Sequence, residues 1–283
     1  MTYPHLGVGM LVHNSKTYMD YLDKLGDISD VYELLLIQYM NEPDELNKMA
    51  DRLGKPIIAH TTRFSFGTDA PVERNLLDNM NDLIFRCKAK WCGDHLCFTG
   101  VPGLGSGGLL PPIMNEESVD VFVRGILEAK KVINTPLLIE NVVQYYQVGT
   151  MSQAQFLKDV VEKADIGIVL SMENISTSKS FMESDYYEFI DTIPVERIVQ
   201  IHCTIGNSQE QKEMKSDIFG TIYDKQMMQY EALEYLVKKR GVKPKAFIWE
   251  LETETDSHPE VEELRQRMEW ANSLFFKNKG AGY

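Results

Sequence analysis

The sequence predicts an α/β fold, a single (β/α)8 TIM barrel spanning residues 1–283, on three observations. Short apolar, β-branched runs alternate with longer amphipathic stretches eight times, which is the strand–helix rhythm of a parallel sheet and argues against segregated α and β regions. The strand runs are continuously apolar rather than alternating, as when both faces of a sheet are covered. Six of them end in polar residues able to bind metal: IIAH (His60), WCGDH (Asp94, His95), PLLIEN (Glu140, Asn141), IGIVLSMEN (Asn174), IVQIH (His202) and AFIWELE (Glu250, Glu252). The carboxyl ends of barrel strands open onto one face, where barrel enzymes keep their chemistry.

The elements follow in order. LGVGMLV (6–12) is the first strand and 15–25 the first helix, and VYELLLIQ (31–38) is the second strand. NEPDELNKMADRLG opens on cap and turn residues and stops at Gly54, a helix from start signal to stop signal. KPIIAHT is strand three, followed by a helix over about 71–89, and WCGDHLCF is strand four. VPGLGSGGLLPP (101–112) reads as a mobile loop over the barrel mouth. Its glycines lack both the lysine of a P-loop and the immediate helix of a dinucleotide fingerprint. Asn115 caps an amphipathic helix with acidic residues in its first turn. TPLLIEN is strand five, Ser152 caps the next helix, IGIVLS is strand six, and a helix near 183–191 follows. RIVQIH is strand seven, a polar stretch covers 204–223, and the helix DKQMMQYEALEYLVKKRG ends on basic residues and Gly241. KAFIWE is strand eight, and HPEVEELRQRMEWANSLFF closes the chain.

Composition narrows the functional classes. A net charge of −13 weighs against nonspecific nucleic-acid binding, which needs a basic footprint. No apolar run approaches the roughly 20 residues that span a bilayer, and the start MTYPHLGVGM lacks the basic and apolar regions of a signal peptide. Cys87, Cys92, Cys97 and Cys203 form neither a CxxC pair nor a disulfide framework. They read as ordinary buried cysteines in a cytoplasmic protein.

Each candidate ligand has a plain alternative: a lone histidine at a strand end is usually a satisfied core residue, and a lone glutamate can pair with a distant Arg or Lys. Their joint placement favours a metal, because several carboxylates and imidazoles at one mouth are costly to bury without compensating charge. Imidazole with carboxylate suits iron, manganese or zinc, and the absence of paired thiolates argues against a structural zinc site.

HTTRFSFG, GDHLCF, LLIENV, MSQAQFLKDVVEKADIGIVLSMENI, IVQIH and IWELE, in this order and spacing, resemble the multinuclear non-haem iron-dependent oxidative enzymes. That family includes the methanobactin-biosynthesis oxidase and has a xylose-isomerase-like barrel. The resemblance runs from Leu6 to about Phe276, and its most specific part is the Glu-Asn pair followed by an MSxxxF helix and an apolar strand ending near Asn. It implies oxidative modification of a ribosomally made precursor peptide, at cysteine or a C-terminal residue, with iron as cofactor and dioxygen as co-substrate. It also implies a separate peptide-recognition protein as a possible partner. By the same resemblance His60, His95, Glu140, Asn174, His202, Glu250 and Glu252 are metal ligands, Glu140 bridges irons, and Glu140 and Asn174 are catalytic.

Three positions depart from the family pattern. Asp94 stands where the family has Glu, Ser171 stands where it usually has Asp, and Phe219 follows Asp217 where it has the histidine of an Asp-x-His motif. These losses lead to an expectation of two irons, within a range of one to three. Two other readings stay open: a metal-dependent sugar isomerase or hydrolase, and a noncatalytic barrel with a degraded site that binds a peptide.

Overall fold

The computed structural model describes residues 2–25, 28–101, 103–182, 185–205, 222–251 and 259–276. Eight parallel strands close into a barrel: β1 (Gly7–Val12), β2 (Val31–Leu35), β3 (Ile57–His60), β4 (Cys92–His95), β7 (Leu137–Glu140), β8 (Gly167–Ser171), β9 (Ile198–Ile205) and β10 (Ala246–Leu251). Their order round the ring follows the chain, and β1 pairs with β10 to complete it. The eight predicted strands are the eight observed.

Helices α1 (Lys16–Leu25), α2 (Pro43–Leu53), α3 (Arg74–Arg86), α4 (Glu116–Ala129), α5 (Gln153–Ala164), α6 (Met172–Phe181), α7 (Tyr186–Thr192), α8 (Ile222–Arg240) and α9 (Val261–Phe275) join the strands. Local signals set their ends. Asn115 and Ser152 accept hydrogen bonds from Ser118 N (2.8 Å) and Gln155 N (3.2 Å), as N-caps do. Gly54 ends α2 in the left-handed conformation. Among the described residues no helix is long and apolar enough to cross a membrane.

Strand parity decides what fills the barrel. Side chains alternate between the two faces of a strand, so every second residue points inward. The inward set at the floor is apolar: Val31, Ile58, Leu138, Val169 and Ile248 pack with Trp91, Leu11 and Ala246. Two residues further along the same strands are Glu33, His60, Glu140, Ser171 and Glu250. The larger core lies between the outward strand faces and the helices, with Phe122, Phe156, Leu170, Phe247 and Trp249 fully buried.

Two segments differ from their sequence reading. The glycine-rich stretch is an antiparallel hairpin, β5 (Phe98–Val101) with β6 (Leu104–Leu110), not a loop without structure. It is anchored on the loop after β3, where Thr99 N donates to Ser65 Oγ (3.0 Å) and Thr68 Oγ1 donates to Gly100 O. Glycine is required at Gly100, whose φ is +141° and whose added Cβ would lie 2.3 Å from Leu104 O. The second segment is α6, which starts immediately after β8. Its sequence MENISTSKSF carries little helical periodicity, and the helix is launched by Ser171 Oγ accepting from Asn174 N (3.3 Å).

Candidate metal centre

Three histidines from three strands surround one carboxylate oxygen. Glu140 Oε2, from the end of β7, lies 3.4 Å from His60 Nε2, 3.5 Å from His202 Nδ1 and 3.7 Å from His95 Nε2. The rings of His60 and His95 meet edge to face with centroids 4.8 Å apart, and those of His60 and His202 are 5.5 Å apart. All four residues are buried. Gly93, inward-facing between Trp91 and His95, makes room: a Cβ there would lie 2.9 Å from His60 Nδ1.

Glu140 Oε2, His202 Nδ1 and His95 Nδ1 are buried without a hydrogen-bond partner. Leaving such atoms unpaired costs on the order of 1–3 kcal/mol each. Separations of 3.4–3.7 Å are too long for good hydrogen bonds, yet they suit ligands sharing an ion. Two donors each about 2.1 Å from a metal lie roughly 3.0 to 3.4 Å apart at octahedral and tetrahedral angles. His60, His95 and Glu140 can therefore surround an ion, their ligand atoms lying within 4.8 Å of one another. The donor set of imidazoles and a carboxylate fits iron, manganese or zinc.

Glu250, at the end of β10, places Oε1 3.4 Å from His202 Nδ1, and its side chain is 26% exposed, facing the mouth. Burial pushes Glu250 up to about 8, reinforced by the Glu140, Glu173 and Glu33 carboxylates against the opposing pull of His202. Glu140 is the opposite case. Burial would raise it, but His202, His95 and His60 outweigh burial and hold it down at about 2. His202 is raised well above the usual imidazole range, because Glu33, Glu250 and Glu140 overcome the lowering effect of burial.

Asn174, in the first turn of α6, donates from Nδ2 to Glu140 Oε1 (3.3 Å) and to Asn141 O (2.8 Å). It thus steadies Glu140 and keeps Oδ1 as the side-chain atom to offer an ion. Glu252 lies outside the described residues, as do Asp217 and Phe219. Asp94 and Asn141 fall on the outward parity and hold backbone. Asp94 accepts from Phe64 N (2.9 Å) and His95 N (2.6 Å), while Asn141 bonds both the N (2.8 Å) and the O (3.0 Å) of Ser171. Glu173 accepts from Thr204 Oγ1, and the Ser171 hydroxyl is occupied in capping α6.

Sequence reasoning missed Glu33, which is fully buried in β2. It contacts His202 Nε2 at 2.7 Å and His60 Nδ1 at 3.1 Å. With these two histidines it forms a second group whose ligand atoms lie within 4.8 Å. Its one sequence signal was an acid inside the otherwise apolar VYELLLI. The four cysteines are all buried thiols, as the sequence suggested; burial raises each of them, and Cys203 donates to Gln229 Oε1 (2.9 Å).

Fold and site together define a (β/α)8 barrel with a buried histidine–carboxylate cluster at the carboxyl ends of its strands. The chain belongs to the family described as RiPP precursor modification enzyme MbnB/TglH/ChrH, whose model matches residues 6–275. The family resemblance read from the motifs is thereby borne out. A UPF0276 protein of Caulobacter vibrioides is 31% identical over 196 residues, covering 68% of this chain and 70% of its own. A UPF0276 protein of Anaeromyxobacter sp. is 30% identical over 202 residues, covering 71% and 63%. Among solved structures, a xylose isomerase domain containing protein from Salmonella typhimurium superposes with a TM-score of 0.58 at 12% identity, over 98% of this chain and 100% of that one. D-psicose 3-epimerase from Clostridium cellulolyticum H10 gives 0.55 at 13% identity, over 95% and 99%. At such identities these likenesses show the fold alone.

Proposed function

We propose that the protein is an iron-dependent oxidase that uses dioxygen to modify a ribosomally synthesised precursor peptide, at a cysteine or a C-terminal residue. Membership in a family of precursor-modifying enzymes supports the substrate class. The observation that carries the reading is the convergence of His60, His95 and His202 on the unpartnered Glu140 Oε2. Several unpaired ligand atoms gathered at one point are costly unless something binds among them. The same observation favours a working site over a degraded one.

Iron, when bound, supplies the one-electron and dioxygen chemistry that side chains lack. The chain supplies the rest. His60, His95 and Glu140 would hold one ion. His202 and Glu250 would join Glu140 in holding a second, and the family resemblance adds Asn174 and Glu252 to the ligand set. Asn174 fixes the Glu140 carboxylate through Oε1, so that Oε2 stays aimed at the histidines. Glu250 is a partly exposed acid at the mouth and can hold or release a proton beside the incoming substrate. A groove of about 760 Å³ beside the mouth, between the β5–β6 hairpin and the loop after β3, offers space for a peptide segment. Its walls include Arg63, Phe64, Glu73 and Leu104. A separate protein that presents the peptide is compatible with this open groove.

The test is anaerobic purification, iron loading, and measurement of dioxygen uptake and peptide mass with short peptides encoded beside the gene. Peptide-dependent uptake with a matching mass change is expected. Full iron occupancy with no uptake on any such peptide would replace this reading with a noncatalytic binding role.

A further inference from the structure

Below the three histidines lies a closed chain of hydrogen bonds that ends on two of them. It starts at Trp91, whose indole N–H can only donate, and which donates to Gln200 Oε1 at 2.6 Å. That contact fixes the amide, so Gln200 Nε2 faces Glu33, 2.9 and 3.0 Å from its two oxygens. The same carboxylate then meets His202 Nε2 at 2.7 Å and His60 Nδ1 at 3.1 Å. An ionised oxygen and an unprotonated ring nitrogen would repel at these distances, so each ring turns an N–H toward Glu33. Gln200 Nε2 and His202 Nε2 both lie beside this one carboxylate. Trp91, Gln200, Glu33 and His202 are fully buried, so water does not compete.

We propose that Glu33 is a positioning residue: it keeps the proton of His60 on Nδ1 and that of His202 on Nε2, so that His60 Nε2 and His202 Nδ1 both face Glu140 as metal-binding lone pairs. The inference rests on the reading that this site holds a metal. Glu33, His60 and His202 can surround an ion on distance alone. Two facts favour positioning instead. Gln200 already donates to both Glu33 oxygens, and the orphaned nitrogen of His202 is Nδ1, on the side away from Glu33. Carboxylate partners of this kind set the tautomer and orientation of ligating imidazoles.

The experiment uses the full chain with zinc as a redox-silent probe. Zinc affinity is read by competition with a chromophoric chelator, and the ligating nitrogens by ¹⁵N-imidazole spectra of the loaded protein. The wild type is expected to show His60 bound through Nε2 and His202 through Nδ1. Glu33→Gln should weaken zinc by about 10- to 100-fold and scramble that nitrogen pattern, with the metal-free protein still folded. Should Glu33→Gln not fold, Trp91→Phe, which removes the donor fixing Gln200 and trims the barrel floor, should, where folded, show a smaller shift in the same direction. Unchanged affinity and spectra in either folded variant overturn the proposal, as does zinc bound through His60 Nδ1 or His202 Nε2. A wild type that takes up no divalent ion overturns the metal reading itself and this inference with it.

Discussion

Gly93 and His60 lie on neighbouring strands so close together that a Cβ on Gly93 would sit 2.9 Å from His60 Nδ1 and 3.3 Å from Cε1. The missing methyl is what lets the imidazole lie inside the barrel with one nitrogen on Glu33 and the other toward Glu140.

Gly93→Ala should therefore act on the metal site. Its backbone needs no left-handed conformation, so the alanine disturbs His60 and Val169 rather than the strand itself. Metal affinity should fall roughly 10- to 100-fold, the range for disturbing the support of a ligand. Titration with zinc or cobalt checks this, beside circular dichroism showing an unchanged fold.

Glu140→Gln should abolish peptide-dependent dioxygen uptake, by at least about 100-fold, while leaving the barrel folded. An amide has the carboxylate's shape but not the charge that balances two cations. The decisive comparison sets iron content, melting temperature and activity side by side. Wild-type activity in the variant, or in metal-free protein, would sink the proposed mechanism. A fall in melting temperature that accounts for the lost activity would point to core damage instead.

The metal-free protein should lose stability as pH rises from about 5 to 8.5. Glu250 is raised in the folded state to about 8 from an ordinary carboxylate value. Between those values the fold binds a proton that the unfolded chain has released, so raising the pH favours unfolding. His202, raised well above the usual imidazole range, works in the same direction once the pH passes its unfolded value. Thermal melts should drop steadily across this window, at about 2–4 °C for each kcal/mol lost in a chain of this size. Glu250→Gln should flatten much of the slope, and a melting temperature rising with pH would contradict the assignment.

Protein made in iron-rich medium should carry about two irons per chain, since affinity follows the number and type of ligands. Asp94 is committed to backbone amides and Ser171 to the cap of α6, so neither offers the carboxylate its family counterpart supplies. Elemental analysis decides, and three fully occupied, protein-ligated irons would refute the expectation.

The legible parts of this molecule were those with a local signature. His60, Glu140 and His202 each close an apolar run, His95 closes WCGDH, and parity turns all four inward together. Glu33 sits inside such a run, where sequence alone does not distinguish a buried hub from an acid on an exposed strand face. Asp94 and Asn141 occupy strand ends as well, but one step out of phase with the interior. The helix α6 was hidden by its serines, and the hairpin by glycines that suggest a loop when their strand partners are unknown. The unread features depend on contacts between residues far apart in the chain, such as Glu33 with Gln200, which no local window contains.

The ring closes only when β10 docks between β9 and β1. The side chains that gather round Glu140 are drawn from strands as far apart in the chain as β3 and β10. The early histidines share a site with Glu250 only once the ring is closed. A metal held at this site would therefore be selected by a closed barrel rather than by a growing chain.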